Sequence, residues 1–111
     1  MKLLTHEIRK KLPPIHGQEH LGDEAIIHCK FFTPDSGWTW WVLEGGPVLD
    51  DDGDETDFEF FGLVEGFEQE YGYFVLSELE SIKGPMGLNI ERDKWWKPQP
   101  VKNVKKERSM T

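Results

Sequence analysis

The chain has 111 residues, a formal net charge of −8 and 13% aromatic residues. This length is typical of one domain with a buried core, and the aromatic rings can fill that core, so the negative mean hydropathy does not indicate disorder. The single cysteine, Cys29, excludes an internal disulfide framework and indicates a reducing compartment, and no run is apolar enough for a signal peptide or a membrane span. We therefore expect a soluble cytoplasmic protein.

The first predicted elements are a short helix and two strands. Thr5 is predicted to cap a helix that ends before Pro13. β-branched and aromatic residues predict a strand in "AIIHCKFF" (25–32), which the turn signature "TPDSG" follows. The next predicted strand is "WTWWVLE" (38–44), ended by "GGP", and its aromatic residues on both faces indicate that both are at least partly covered.

The second half predicts a hairpin partner, a short strand and a helix. "FEFFGLVE" (58–65) is expected to pair with the preceding strand through a long connection, residues 45–57. "YFVL" (73–76) predicts a further strand. Ser77 and Glu80 match a capping box at the start of a helix of about two turns.

The chain as a whole predicts an α+β fold, with an antiparallel sheet of three to four strands and short flanking helices. Residues 1–96 are expected to form a single domain. From Lys97 onward, lysines and prolines with little apolar content predict a mobile, disordered basic tail, residues 97–111.

Charge is unevenly distributed along the chain. Residues 1–91 contain 6 Lys/Arg and 19 Asp/Glu, whereas residues 92–111 contain 7 and 2. No Lys or Arg lies between Lys30 and Lys83, an interval that holds 14 acidic residues. An interval of one sign repels duplex phosphates and attracts basic partners.

Three stretches, "KFFTPDSGWTWWVLEG", "FFGLVEGFEQEYGYFVLSELESIKGPMGL" and "IERD", together resemble a family of small bacterial proteins of unknown function. The resemblance covers about residues 2–96. It implies a setting on plasmids and conjugative elements, often near antirestriction genes, and hence a role in plasmid maintenance or in countering host defence. It implies no activity, cofactor or catalytic residues.

The densest acidic stretch, "VLDDDGDETDFEFF" (48–61), has three interpretations. Aligning Gly53 with the glycine of a calcium-binding EF-hand loop places Val48 at the first ligand position, and a strand follows where a helix should stand, so an EF-hand is disfavoured. A weaker calcium or magnesium site, a surface that attracts a basic partner, and a solvated hairpin turn remain open.

"HGQEH" matches the pattern of inverted zinc peptidases, with His16 and His20 as candidate metal ligands and Glu19 as candidate base. This chemistry needs a helix, whereas prolines precede the motif and glycines interrupt it, so an exposed loop is favoured. Cys29 is expected in the core, since neighbouring His28 must point to the opposite face of its strand.

The tryptophans of residues 38–41 are expected in the core, because few basic residues accompany them as a nucleic-acid stacking platform would require. Direct nucleic-acid contact is therefore expected only through the basic tail.

The leading hypothesis is a non-enzymatic, acidic protein-binding module of a mobile genetic element, without a cofactor or a membrane partner. Its partner would be a basic host or plasmid protein, and in the strongest form the chain would be a DNA mimic that blocks a DNA-binding or defence protein. The alternatives are a nucleic-acid-binding accessory protein that uses the basic tail and exposed tryptophans, and a small metal-dependent hydrolase. The predicted partner-binding residues are Asp50, Asp51, Asp52, Asp54, Glu55 and Asp57, with Glu65, Glu68 and Glu70 as an adjoining patch.

Overall fold

The structure is a computed structural model that describes residues 1–106. Two α-helices, seven strands and two short 3-10 helices are found in those residues. In chain order they are α1 (His6–Lys11), a 3-10 helix (Glu19–Glu24), β1 (Ile26–Ile27), β2 (Cys29–Phe32), β3 (Thr39–Leu49), β4 (Glu55–Glu65), β5 (Gln69–Val75), α2 (Leu76–Ser81), β6 (Glu91–Arg92), β7 (Gln99–Pro100) and a 3-10 helix (Val101–Asn103).

The main sheet is antiparallel and has the strand order β5-β4-β3-β2-β6. β1 and β7 form a second, two-stranded antiparallel sheet. The predicted α+β class with an antiparallel sheet is confirmed, but the main sheet has five strands rather than three or four. The additional strand is β6, where Glu91 and Arg92 pair with Phe32 and Phe31. Two residues are too few to show the alternating pattern from which a strand is predicted.

The hairpin of β3 and β4 is longer than predicted. β3 does not end at "GGP" but continues to Leu49, with Gly45 and Gly46 paired to Phe60 and Glu59. A side chain at Gly45 would lie 2.7 Å from the ring of Phe58, so glycine is needed there for packing rather than to end the strand. The loop therefore shrinks to residues 50–54, at the end of two eleven-residue strands.

Both faces of the sheet carry apolar clusters, as the aromatic pattern predicts. The first face packs against the N-terminal segment, α1 and α2, and its centre is formed by Phe31 and Phe60 in edge-to-face contact at 5.6 Å between ring centroids. The second face carries Trp41, Leu43 and Leu63, and the chain around residues 25–27 and 96–104 covers it. No helix within residues 1–106 is long and apolar enough to cross a membrane.

The two α-helices begin in different ways. α1 is capped as predicted, since the hydroxyl of Thr5 accepts the N–H of Ile8 at 3.2 Å. The predicted capping box at α2 is wrong: α2 begins at Leu76, and its first residues receive no cap from Ser77. Ser77 instead lies within the first turn of α2, where its N–H and its hydroxyl both donate to the carboxylate of Asp57 on β4, a charged and therefore strong acceptor.

The prediction of a mobile, disordered basic tail is wrong for most of the residues that the structure describes. Residues 99–106, which we call the C-terminal strap, are packed against the second face rather than mobile. Val101 is fully buried, and its N–H donates to the carbonyl of Ala25 at 2.8 Å. Val101 and the partly buried Val104 pack against this face, and the burial of their side chains favours a docked segment. Residues 107–111 of the predicted tail lie outside the described residues.

Candidate protein-binding surface

The acidic hairpin tip, residues 50–54, is an ordered turn. Oδ1 of Asp50 accepts the N–H groups of Asp52 at 2.9 Å and of Asp54 at 3.0 Å. The N–H of Asp50 donates to the carbonyl of Asp54 at 2.9 Å, and Gly53 supplies the positive φ of 84° that the turn requires. One side chain and one glycine therefore supply the hydrogen bonds and the backbone angle on which this turn depends.

The carboxylates of this tip are free of positive partners within residues 1–106. Asp50, Asp51, Asp52 and Asp54 are all exposed, and none forms an ion pair there. Oxygens of Asp50, Asp52 and Asp54 lie within 4.8 Å of one another. Such a group could bind a hard cation such as calcium or magnesium. Exposed carboxylates are also well solvated by water without a cation, so the weak metal site stays a prediction.

Glu55 is engaged rather than free. Its two carboxylate oxygens accept Nη1 and Nη2 of Arg9 at 2.7 and 2.6 Å, and the guanidinium also lies 4.8 Å from the ring centroid of Phe58. The hydrogen bond from Arg9 lowers the pKa of Glu55 below its ordinary value. This bidentate pair ties α1 to the hairpin next to the tip.

Asp57 is also engaged. Its carboxylate accepts the N–H and the hydroxyl of Ser77, and the N–H of Phe58 at 2.8 Å. The hydroxyl of Ser77 is the main reason that the pKa of Asp57 is lowered, with the N–H of Phe58 next. Asp57 therefore connects β4 to the start of α2.

The predicted adjoining patch lies far from the tip. Glu65 is at the opposite end of β4, roughly 33 Å from Glu55 at the usual rise of a strand. Glu65 pairs with Lys106 at 2.7 Å, while Glu68 and Glu70 are exposed near the strap. The nine predicted residues consequently form two separate groups. Within residues 1–106, the tip carries four carboxylates without an ion pair, whereas Glu65 of the second group is paired with Lys106.

The "HGQEH" loop is organised by a residue that sequence reasoning did not single out. Glu44 is only 2% exposed, and its oxygens accept the N–H groups of His16 at 2.7 Å and Gln18 at 2.9 Å. His16 has a left-handed φ of 74°, which no regular helix contains. Within residues 1–106, no group of three metal-ligating side chains includes His16 and His20. The loop is a structural turn around a buried carboxylate.

Cys29 lies in the core, as predicted. Burial raises the pKa of its thiol to about 12. Because the thiolate is the nucleophilic form, the thiol is inert at neutral pH.

Some tryptophans are buried and others are exposed. Trp40 and Trp41 are buried, as expected. The prediction is wrong for Trp38, which is 37% exposed and has its ring 6.0 Å from that of Trp40. Of the two adjacent tryptophans near the C-terminal end of the chain, Trp96 is partly buried and Trp95 is 87% exposed. In the strap, Lys102, Lys105 and Lys106 pair with Glu24, Asp23 and Glu65.

Comparison with known proteins agrees with the resemblance at the level of the family. The model of a family of proteins of unknown function, DUF2958, matches residues 3–104. Neither a curated protein nor a solved structure is significantly similar to the chain. The chain belongs to the DUF2958 family.

Proposed function

We propose that this chain is a non-enzymatic protein-binding module whose acidic hairpin tip docks on a basic surface of another protein. The observation that carries the proposal is the ordered loop of residues 50–54, which displays four carboxylates without an ion pair inside residues 1–106. Neighbouring carboxylates of Glu55 and Asp57 are already used to build the fold.

Order at the tip favours binding, because an immobilised loop loses little conformational entropy when a partner docks. Uncompensated charge accelerates encounter with an oppositely charged partner and repels partners of like charge. The tip also lies at the end of two eleven-residue strands, where its four carboxylates are exposed to a partner.

The proposed partner is a basic, DNA-binding protein of the host or the plasmid. The mobile-element setting that the family resemblance implies supports this class, and an anti-defence or antirestriction role would follow if the partner were a defence protein. In the strongest form of the proposal the tip acts as a DNA mimic, and its carboxylates occupy the positions of phosphates in a compact cleft of the partner. The distance between the tip and Glu65 favours a local contact over an extended mimic of a DNA strand.

The test removes charge from the tip without disturbing the loop. In the variant D51N/D52N/D54N, Asp50 is kept because its oxygen holds the turn. The matched control, E7Q/E78Q/E80Q, removes three exposed carboxylates from the two helices. Both variants should melt within a few degrees of the wild type.

Each protein is immobilised and exposed to host lysate at low and high salt. We expect the wild type and the control to capture the same basic protein at low salt, and the tip variant to lose it. Equal capture by all three would contradict a role for the tip. The mimicry form further requires that the wild type displace duplex DNA from the captured protein.

A further inference from the structure

A second surface lies at the edge of the main sheet opposite β5. A cleft of about 470 Å³ opens there between β2, β6 and the N-terminus. Its lining combines aromatic and basic side chains, namely Lys30, Phe32, Arg92, Lys94 and Trp95, with the carboxylates Glu91 and Asp93 beside them.

Trp95 is displayed on a backbone that is held in place. The N–H of Trp95 donates to Oδ1 of Asp93 at 2.9 Å, and the N–H of Asp93 donates to the carbonyl of Lys30 at 2.9 Å. The next ring, Trp96, is anchored by its Nε1, which donates to the carbonyl of Ile27 at 2.9 Å. The exposed indole of Trp95 therefore has a fixed base, and a ligand that stacks on it does not have to order the chain.

The positively charged side chains of this cleft are not paired with carboxylates in the described part of the chain. Within residues 1–106, Lys30, Arg92 and Lys94 form no ion pair, in contrast to the lysines of the strap. Nζ of Lys30 lies 6.0 Å from the ring centroid of Phe32 and 5.9 Å from that of Trp96, so it is held over aromatic faces. One guanidinium nitrogen of Arg92 donates to the carbonyls of Lys2 and Leu3, which fixes its charge at the rim.

We infer that this cleft binds a short stretch of single-stranded nucleic acid, with a base stacked on Trp95 and the flanking phosphates contacted by Lys94 and Lys30. An exposed aromatic face beside unpaired cations is the combination by which proteins bind single strands without reading their sequence. A duplex offers no unstacked base to Trp95, and the net charge of −8 opposes its dense phosphates. This site is independent of the hairpin tip.

The test uses the full chain and a fluorescently labelled oligothymidylate, with binding followed by anisotropy at low salt. Trp95→Ala should weaken binding about 5- to 150-fold, the range for loss of one base–aromatic stack. Phe67→Ala is the matched control, since Phe67 is 97% exposed on the loop between β4 and β5, and it should leave binding unchanged. Both residues are exposed, so neither variant should fail to fold.

Charge variants distinguish an anionic ligand from a cationic one. Lys94→Gln should weaken binding, whereas Lys83→Gln, also exposed but outside this cleft, should not. Glu91→Gln should strengthen binding because it removes a negative charge from the lining. With about two phosphates neutralised by Lys94 and Lys30, the logarithm of the affinity should fall with the logarithm of salt concentration with a slope of about −1.4.

The inference would be overturned by equal binding by Trp95→Ala and the wild type, by equal affinity for the matched duplex, or by absence of any binding by the wild type at low salt. A thymidine mononucleotide that competes as well as the oligonucleotide, molecule for molecule, would also overturn it and would assign the cleft to free nucleotides.

Discussion

The carboxylate of Asp57 on β4 holds the first turn of α2 through Ser77. One oxygen accepts the N–H of Ser77 at 3.1 Å, and the other accepts its hydroxyl. The first turn of a helix usually receives this acceptor from the side chain of the residue just before the helix, whereas in α2 it comes from Asp57 on β4.

We expect Asp57→Ala to lower the free energy of unfolding by about 1 kcal/mol, the usual cost of a lost helix cap. Because the pKa of Asp57 is lowered in the folded chain, its contribution is complete above the ordinary value of 3.8 and is lost as the pH falls through the folded pKa. Urea denaturation at neutral and acidic pH measures both effects. Asp52→Ala is the control and should change neither, because the side chain of Asp52 is exposed and forms no hydrogen bond within residues 1–106.

The cross-strand pair Gly62 and Gly72 should respond in opposite ways to the same substitution. A Cβ at Gly62 would lie 1.9 Å from the carbonyl oxygen of Trp41, whereas a Cβ at Gly72 would meet nothing within 4 Å. We expect Gly62→Ala to destabilise the fold by about 3 kcal/mol through overpacking. Gly72→Ala should leave stability unchanged or raise it by up to about 1 kcal/mol. Thermal melts of the two variants decide the matter, and similar losses in both would contradict this account of β4.

The strap should be held by apolar burial rather than by its ion pairs. Val101 is fully buried, and we expect Val101→Ala to cost about 2 kcal/mol. Lys102, the next residue, pairs with Glu24 at 2.6 Å in an exposed position, and Lys102→Gln should change the free energy of unfolding by less than about 1 kcal/mol. Chemical denaturation compares the two variants. A larger loss in the lysine variant would show that charge holds the strap.

Cys29 should be protected from alkylating reagents in the folded chain. Since burial raises the pKa of its thiol from 9.0 to about 12, the folded state keeps a proton that the unfolded state releases. Stability should therefore fall as the pH rises from 9.0 towards 12, and Cys29→Ala should lose this part of the dependence. The rate of iodoacetamide labelling with and without denaturant provides the check, and rapid labelling of the native protein would refute the burial of this thiol.

The sequence predicted correctly those elements that depend on interactions between residues close together in the chain. Thr5 caps α1, the β-branched and aromatic runs form β2 and the start of β3, and Cys29 faces the core. The errors arise where a distant residue decides the outcome. Asp57 binds Ser77, which does not form the predicted capping box, and Gly45 does not end its strand but pairs with Phe60 and leaves room for the ring of Phe58. Glu44 sets the conformation of a loop that is 26 residues away at Gln18.

The same division applies to the candidate sites. Sequence alone located the cluster of carboxylates at residues 50–54, because neighbours along the chain stay neighbours in a tight turn. It could not show that Glu55 is paired with Arg9, or that Glu65 lies at the other end of β4. The cleft around Trp95 was not visible at all, since it joins side chains of β2 with others about 60 residues later.

The amino-acid sequence by itself determined the α+β class, the aromatic core and the acidic turn, since composition and short-range periodicity act through contacts between near neighbours. Only the tertiary structure decided which carboxylates remain free, that the lysine-rich strap is docked through Val101, and that Lys30 and Trp95 line one cleft. The physical reason is that ion pairs, burial and clefts depend on distances in space. Those distances are set by sheet register and packing, and a linear pattern does not contain them.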